Sequence, residues 1–257
     1  MGKNSFIWIF FIALGLLWPL FFQGQAIVQE FTFRHQYGPL AFIEETLQPG
    51  TTALWLPDYL SGFPFYLSAF AYFWPLTKII QFLGFVDAFN ILLFLSYFLG
   101  GAGLFILARN LGISTIGSRL SAVAYMLFEL NIGLPILPFA LMLPIVPFFF
   151  LSILQLHERR YQYFLLGLLA ITLGWQSGFG EYMLYTIIAG GFFALWLSLR
   201  ERSLRTISLT IGMVAVGTLL VLPRLIPIAN MLGISSRAGG AQGVTEFFWP
   251  SDLIHLL

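Results

Sequence analysis

Cysteine is absent from the 257 residues, which excludes disulfides and thiolate metal sites. The three histidines, His35, His157 and His255, have no metal-ligand spacing, and no Asp-x-Asp pair occurs. The sequence therefore implies neither a zinc centre nor a divalent-metal cofactor. Charge is scarce: Asp, Glu, Lys and Arg make up 9% of the chain, against about a quarter in a soluble domain. With a formal net charge of +1 and no basic stripe outside the loops, a nucleic-acid partner is not expected. There is no soluble domain, low-complexity run or clear internal repeat.

What is present is apolar. Hydrophobic residues reach 59% and the mean hydropathy is +0.88, too little polar surface for a water-soluble fold. The sequence predicts an all-α, polytopic integral membrane bundle. A crossing helix needs roughly 20 mostly apolar residues. Such spans are expected at 5–22, 88–108, 116–130, 132–154, 161–176, 182–199 and 204–222, the third and fifth being short. Segment 65–85 is apolar but interrupted by Trp74-Pro75 and Lys78, which suits an interfacial or re-entrant hairpin. Lys3 followed by 6–22 has the form of a signal peptide, with Gly24-Gln25-Ala26 resembling a cleavage site. It is read here as a retained anchoring span. Pro135, Pro138, Pro144 and Pro147 fall within one predicted span, which reads as a kinked packing helix or as a broken helix lining a cavity.

Loop charge fixes an orientation. Lys3, Arg109, Arg119, Arg159, Arg160, Arg200, Arg202 and Arg205 are eight of the twelve basic residues, and alternate loops collect them. By the positive-inside rule that face is cytoplasmic. The opposite face receives Arg34, Lys78, Arg224 and Arg237 and nine of the eleven acids, all but Glu158 and Glu201. The N-terminus is then cytoplasmic and the C-terminus extracytoplasmic.

Polar chemistry collects on the outer face. The first outer loop, 23–64, carries Glu30, Arg34, His35, Glu44, Glu45 and Asp58, with Trp55, Tyr59 and several prolines and glycines. Within it, 37–47 has the spacing of a short helix on the membrane surface, ended by Gln48-Pro49-Gly50. Glu44 and Glu45 read as its solvated face, and Asp58 as a turn residue after Pro57 or as a functional carboxylate. Glu30, one helical turn before Arg34, reads as half of a surface ion pair or as a base held near the membrane. Glu181 opens a span where a carboxylate suits the helix N-terminus. Arg224, between Pro223 and Pro227, is a cation that snorkels, pairs, or meets a phosphate-bearing ligand.

In these loops the chain resembles the YfhO-like bacterial membrane proteins. Leu54-Trp55-Leu56-Pro57 through Gly62-Phe63-Pro64 is similar to the family's Leu-Trp-Asn-Pro…Gly-x-Pro segment, and Gln36-Tyr37-Gly38-Pro39 with 43–50 to the stretch before it. Tyr125-Met126-Leu127-Phe128 and Leu143-Pro144-Ile145-Val146-Pro147 fit its middle spans. Gly178-Phe179-Gly180-Glu181 resembles its outer Gly-His-Pro turn with His and Pro replaced, and 222–227 through Ser235-Ser236-Arg237 its Pro…Ser-x-Arg segment. The resemblance covers most of the chain in order.

That resemblance implies a GT-C type integral membrane glycosyltransferase. Such an enzyme passes a sugar from a polyprenyl-phosphate donor to an extracytoplasmic acceptor. Its chemistry needs a base for the acceptor hydroxyl and a cation for the departing phosphate. The implied base is Glu30 or Asp58, with Arg224, Arg237 and Arg34 as phosphate contacts and Trp55 and Tyr59 shaping the sugar pocket; Glu181 joins the substrate-binding set. The expected partners are a lipid-linked sugar donor, a glycan or protein acceptor and membrane lipids, with no cofactor. Two departures stand out. The family's Gly-Asp pair after the first span is Gly24-Gln25 here, and family members are longer, so the chain corresponds to an N-terminal portion or a reduced relative. The alternatives are a non-catalytic subunit or lipid-carrier-binding protein, and a transporter. A transporter would carry intramembrane charge pairs and inverted repeats, and neither is evident.

Overall fold

Proline and glycine decide where these helices break, bend and stop. In the computed structural model, residues 4–22, 82–131, 137–177, 180–223 and 225–226 are described. The chain divides into two compact units, 1–26 with 86–220, and 27–85 with 221–257. All but a few residues of the second lie outside the described set, including the surface helix expected at 37–47, the outer loop 23–64 and most of segment 65–85.

The described residues contain helices and turns, with no strand. Helices α1 (Asn4–Leu16) and α2 (Trp18–Phe22) are followed by α3 (Phe85–Asn110), α4 (Thr115–Asn131) and α5 (Leu137–His157). Then come α6 (Tyr163–Gln176), α7 (Gly180–Arg200) and α8 (Arg205–Leu220). Among the described residues three stretches are long and apolar enough to cross a membrane: Val86–Asn110, Ala140–His157 and Gly180–Arg200. Helices α1, α6 and α8, with 13, 14 and 16 residues, are shorter, about 20 to 24 Å at 1.5 Å per residue. The first predicted span, 5–22, is two helices joined at Leu17. Pro19 has no N–H to give the Gly15 carbonyl, and the chain tightens there with Leu20 N–H donating to Leu17 O at 3.1 Å. The predicted 132–154 span is described only from Leu137 onward, which leaves Pro135 outside.

Pairwise contacts give the direction of each helix. Gly100 lies against Leu143 and Gly103 against Pro147, and Gln155 Nε2 donates to Asn110 Oδ1 at 2.9 Å, so α3 and α5 run the same way. Gly190 lies against Phe149 and Ile153, while Met183 and Ile145 both meet Gly174; α7 shares that direction. Helix α1 opposes α3, since Phe6 meets the ring of Phe105 and Phe10 that of Phe94. Helix α6 opposes α5, pairing Gly167 with Ser152 and Gly174 with Ile145. It runs with α8, where Gly167 meets Met213 and Ile171 meets Gly217. The C-termini of α3, α5 and α7 thus share one end with the N-termini of α1, α4, α6 and α8.

Helix α5 is central. Its Met142, Ile145, Phe149, Ile153 and Leu156 form one buried cluster with Ala170 and Ile171 of α6, Met183, Ala194 and Leu197 of α7 and Met213 of α8. Phe149 is 0% exposed, whereas Phe192 on the outer face of α7 is 70% exposed. With Leu184, Ile188, Leu195 and Leu199, Phe192 makes an apolar stripe at helical spacing turned away from the bundle. Apolar side chains on both sides of a helix suit a bilayer, where close packing of small residues holds helices together.

Pro144 and Pro147 lie inside α5. Pro147 removes the N–H that would serve the Leu143 carbonyl. Tyr125 of α4 supplies a replacement, its hydroxyl donating to Leu143 O at 3.1 Å. At Gly100 an added Cβ would come within 3.1 Å of the Leu143 carbonyl carbon, so this approach requires glycine. Over the described residues α5 runs as one helix through both prolines and packs against its neighbours.

Tyr125→Phe should therefore destabilise the full chain by about 1–3 kcal/mol, the cost of an orphaned buried carbonyl, measured as thermal unfolding in detergent micelles. In a Pro147→Ala background, where the N–H returns, the same change should cost under about 1 kcal/mol.

Candidate functional site

The two ends of the bundle differ in chemistry. One end gathers the starts of α3, α5 and α7. Asp87 occupies the first turn of α3 and Glu181 that of α7, both exposed, where a carboxylate meets the positive end of the helix dipole. Aromatic residues lie near Glu181 along the chain. Tyr182 and Tyr185 meet edge to face with centroids 6.4 Å apart, and the Trp175 ring lies beside Gly180. The Trp175 indole Nε1–H donates to Thr218 Oγ1 at 3.1 Å, tying the end of α6 to α8. Ser177, buried, donates its hydroxyl to Gly174 O at 2.8 Å and closes α6. Among the described residues no ion pair reaches Glu181.

The opposite end is basic and built by three turns of one kind. After α3, Gly112 N–H donates to Arg109 O at 3.2 Å and Ile113 N–H to Ala108 O at 3.0 Å. After α5, Arg159 N–H donates to Leu156 O at 3.1 Å and Arg160 N–H to Gln155 O at 2.9 Å. After α7, Arg202 N–H donates to Leu199 O at 3.2 Å and Ser203 N–H to Ser198 O at 3.0 Å. Each is a Schellman closure, whose central residue needs a left-handed backbone. Gly112, Arg159 and Arg202 supply it at φ 86°, 65° and 52°.

Side chains lock these turns together. His157 Nδ1 lies 3.1 Å from Thr206 Oγ1 and its Nε2 lies 3.3 Å from Glu201 Oε1. Arg205 Nη2 donates to His157 O at 2.8 Å. Ser198 Oγ accepts from Ile207 N–H at 3.1 Å, capping an otherwise unpaired donor of α8. Ser114 Oγ accepts from Gly117 N–H at 3.2 Å as the N-cap of α4. Arg119 reaches α1, donating from Nη2 to Ser5 Oγ at 3.2 Å with its guanidinium 5.7 Å from the centre of the Trp8 ring. The exposed Arg160–Glu158 pair at 3.6 Å contributes little.

Of the candidate site residues named from the sequence, Glu181 alone is described. Glu30, Arg34, Trp55, Asp58, Tyr59, Arg224 and Arg237 lie outside the described residues, as do Gly178 and Phe179 before Glu181. Among the described residues no three His, Asp or Glu side chains gather as a metal site. The sequence reading missed the interlock of His157, Glu201, Arg205 and Thr206. Its only trace there is the repeated Glu-Arg pair, Glu158-Arg159 and Glu201-Arg202. A scan of protein families and searches of curated proteins and solved structures find no match to this chain.

Trp175→Phe and Thr218→Val should each cost about 1 kcal/mol in thermal unfolding of the detergent-solubilised chain. The double variant should cost clearly less than the sum, because both remove one bond.

Proposed function

We propose that this chain is a GT-C-like, YfhO-like glycosyltransferase of the bacterial cytoplasmic membrane. Its helices make seven crossings, the shorter ones tilted or half-buried, with the N-terminus cytoplasmic and the C-terminus outside. A sugar moves from a polyprenyl-phosphate donor to a cell-envelope glycan, a teichoic acid-like polymer or a protein. Transfer breaks the bond between the sugar and the phosphate oxygen and forms one to the acceptor hydroxyl oxygen. The carrier leaves as a phosphate anion.

The observation that carries this reading is the separation of charge. Asp87, Glu181 and their aromatic neighbours occupy one end, and seven arginines occupy the other. The arginine end suits the cytoplasm, which leaves the acidic and aromatic end for chemistry outside. Glu30 or Asp58 then serves as base for the acceptor hydroxyl. Arg224 and Arg237, with Arg34 in support, neutralise the leaving phosphate. Trp55, Tyr59 and Glu181 contact the sugar.

A second reading rests on Gln25, which stands where the resembling family has an aspartate. A carboxamide cannot take a proton, so this reading makes the chain a non-catalytic subunit that holds the lipid carrier.

Glu30→Gln and Asp58→Asn, made separately, decide between the two. Loss of the base should lower transfer by about 10²–10⁴-fold, read as a change in cell-envelope glycan composition. Unchanged glycans in both variants would establish the non-catalytic reading. Orientation has its own test, helped by the absence of cysteine. An impermeant maleimide added to intact cells should label Trp55→Cys and spare Glu158→Cys.

A further inference from the structure

Arg159 and Arg202 occupy turn positions that glycine fills best. Both have the left-handed backbone, φ 65° and 52°, where a Cβ crowds the neighbouring carbonyl. The third turn of this kind uses Gly112. Among the described residues neither arginine side chain has a partner, and both are exposed. Among the described residues no contact accounts for two cations placed against local backbone preference. An anion outside the bundle does.

The surroundings identify that anion. Seven arginines, Arg109, Arg119, Arg159, Arg160, Arg200, Arg202 and Arg205, stand at this end against Glu158 and Glu201, a formal +5. Four of the seven, Arg159, Arg160, Arg200 and Arg202, are exposed. Just inside them runs an apolar skirt of exposed Tyr161, Leu165, Trp196, Leu199 and Leu204. The Arg200 guanidinium lies 5.9 Å from the centre of the Trp196 ring, at the boundary between the two zones. A soluble polyanion would engage the arginines and leave the skirt in water. A lipid engages both, its phosphodiester meeting the guanidinium groups and its acyl chains the skirt.

We infer that this end binds the headgroups of anionic phospholipids through Arg159, Arg160, Arg200 and Arg202. The two left-handed arginines are held there for that contact. The inference rests on the membrane insertion proposed above and is independent of the orientation and of sugar transfer.

The test titrates short-chain phosphatidylglycerol into the detergent-solubilised full chain and follows its thermal stability. Short-chain phosphatidylcholine and inorganic phosphate serve as comparisons. Phosphatidylglycerol should stabilise saturably and the other two should not. Arg159→Gly with Arg202→Gly should weaken the apparent phosphatidylglycerol affinity by roughly five-fold for each arginine lost. Without lipid the same double variant should melt no lower than the wild type, since glycine relaxes both turns. Arg159→Lys with Arg202→Lys should keep most of the affinity. Equal stabilisation by phosphatidylcholine or by inorganic phosphate, or an undiminished response in the glycine variant, would overturn the inference. Outside labelling of Glu158→Cys would instead overturn the orientation, and phosphatidylglycerol-specific stabilisation would survive that result.

Discussion

With no N–H at Pro147, the Leu143 carbonyl has no partner in its own helix, and the fold around α5 depends on where that partner comes from. A buried carbonyl left unsatisfied costs about 1–3 kcal/mol, so a proline inside a packed helix needs a neighbour at a fixed height and angle. Tyr125 is that neighbour. The bond sets the position of α4 along α5, and Gly100 lets the α3 backbone come up to the same residue from another side. Three helices thereby meet at Leu143, and α6, α7 and α8 pack on other faces of α5 through Phe149, Ile153 and the small residues opposite them.

The polarity of the bundle follows from the directions of its helices. Alongside the first turns of α1, α4, α6 and α8, the carbonyl ends and Schellman turns of α3, α5 and α7 collect at one end, because those three helices run together. Their amide ends collect at the other, beside Asp87 and Glu181. That shared direction sorts the loop arginines to one end and these two carboxylates to the other. It also separates two tasks. The basic end is interlocked by His157, Glu201, Arg205 and Thr206, which suits an anchor. The acidic end carries exposed carboxylates and aromatic rings, which suits contact with a ligand.

Much of the helical plan was legible in the amino-acid order. Long apolar runs bounded by charged or glycine-containing turns placed the helices over 88–108, 116–130, 161–176, 182–199 and 204–222 within a few residues of where they form. Glu181 was recognised as the opening residue of its helix because a carboxylate in a first turn has a local cause. The break at Leu17 was missed, since hydropathy runs smoothly through Pro19 and only the backbone hydrogen bonds reveal the discontinuity. The left-handed arginines were missed because turn preferences favour glycine there, and the charge was read for orientation alone. The candidate site was legible only as a set of residue types in outer loops. Its one described member, Glu181, has the aromatic setting that the neighbouring Trp175, Tyr182 and Tyr185 provide.

By itself, the sequence determined the all-helical class, the apolar dimensions of three long helices and the sorting of arginines into alternate loops. These are properties of short stretches, set by side-chain hydropathy and charge within one or two turns. Only the tertiary structure decided which hydroxyl repairs the carbonyl freed by Pro147, which glycines admit a neighbouring helix, and that three separate basic turns meet at one end. Those outcomes join residues distant in the chain, such as Ser5 with Arg119 and His157 with Thr206. The free energy of such a contact depends on where another helix lies, which no local pattern encodes.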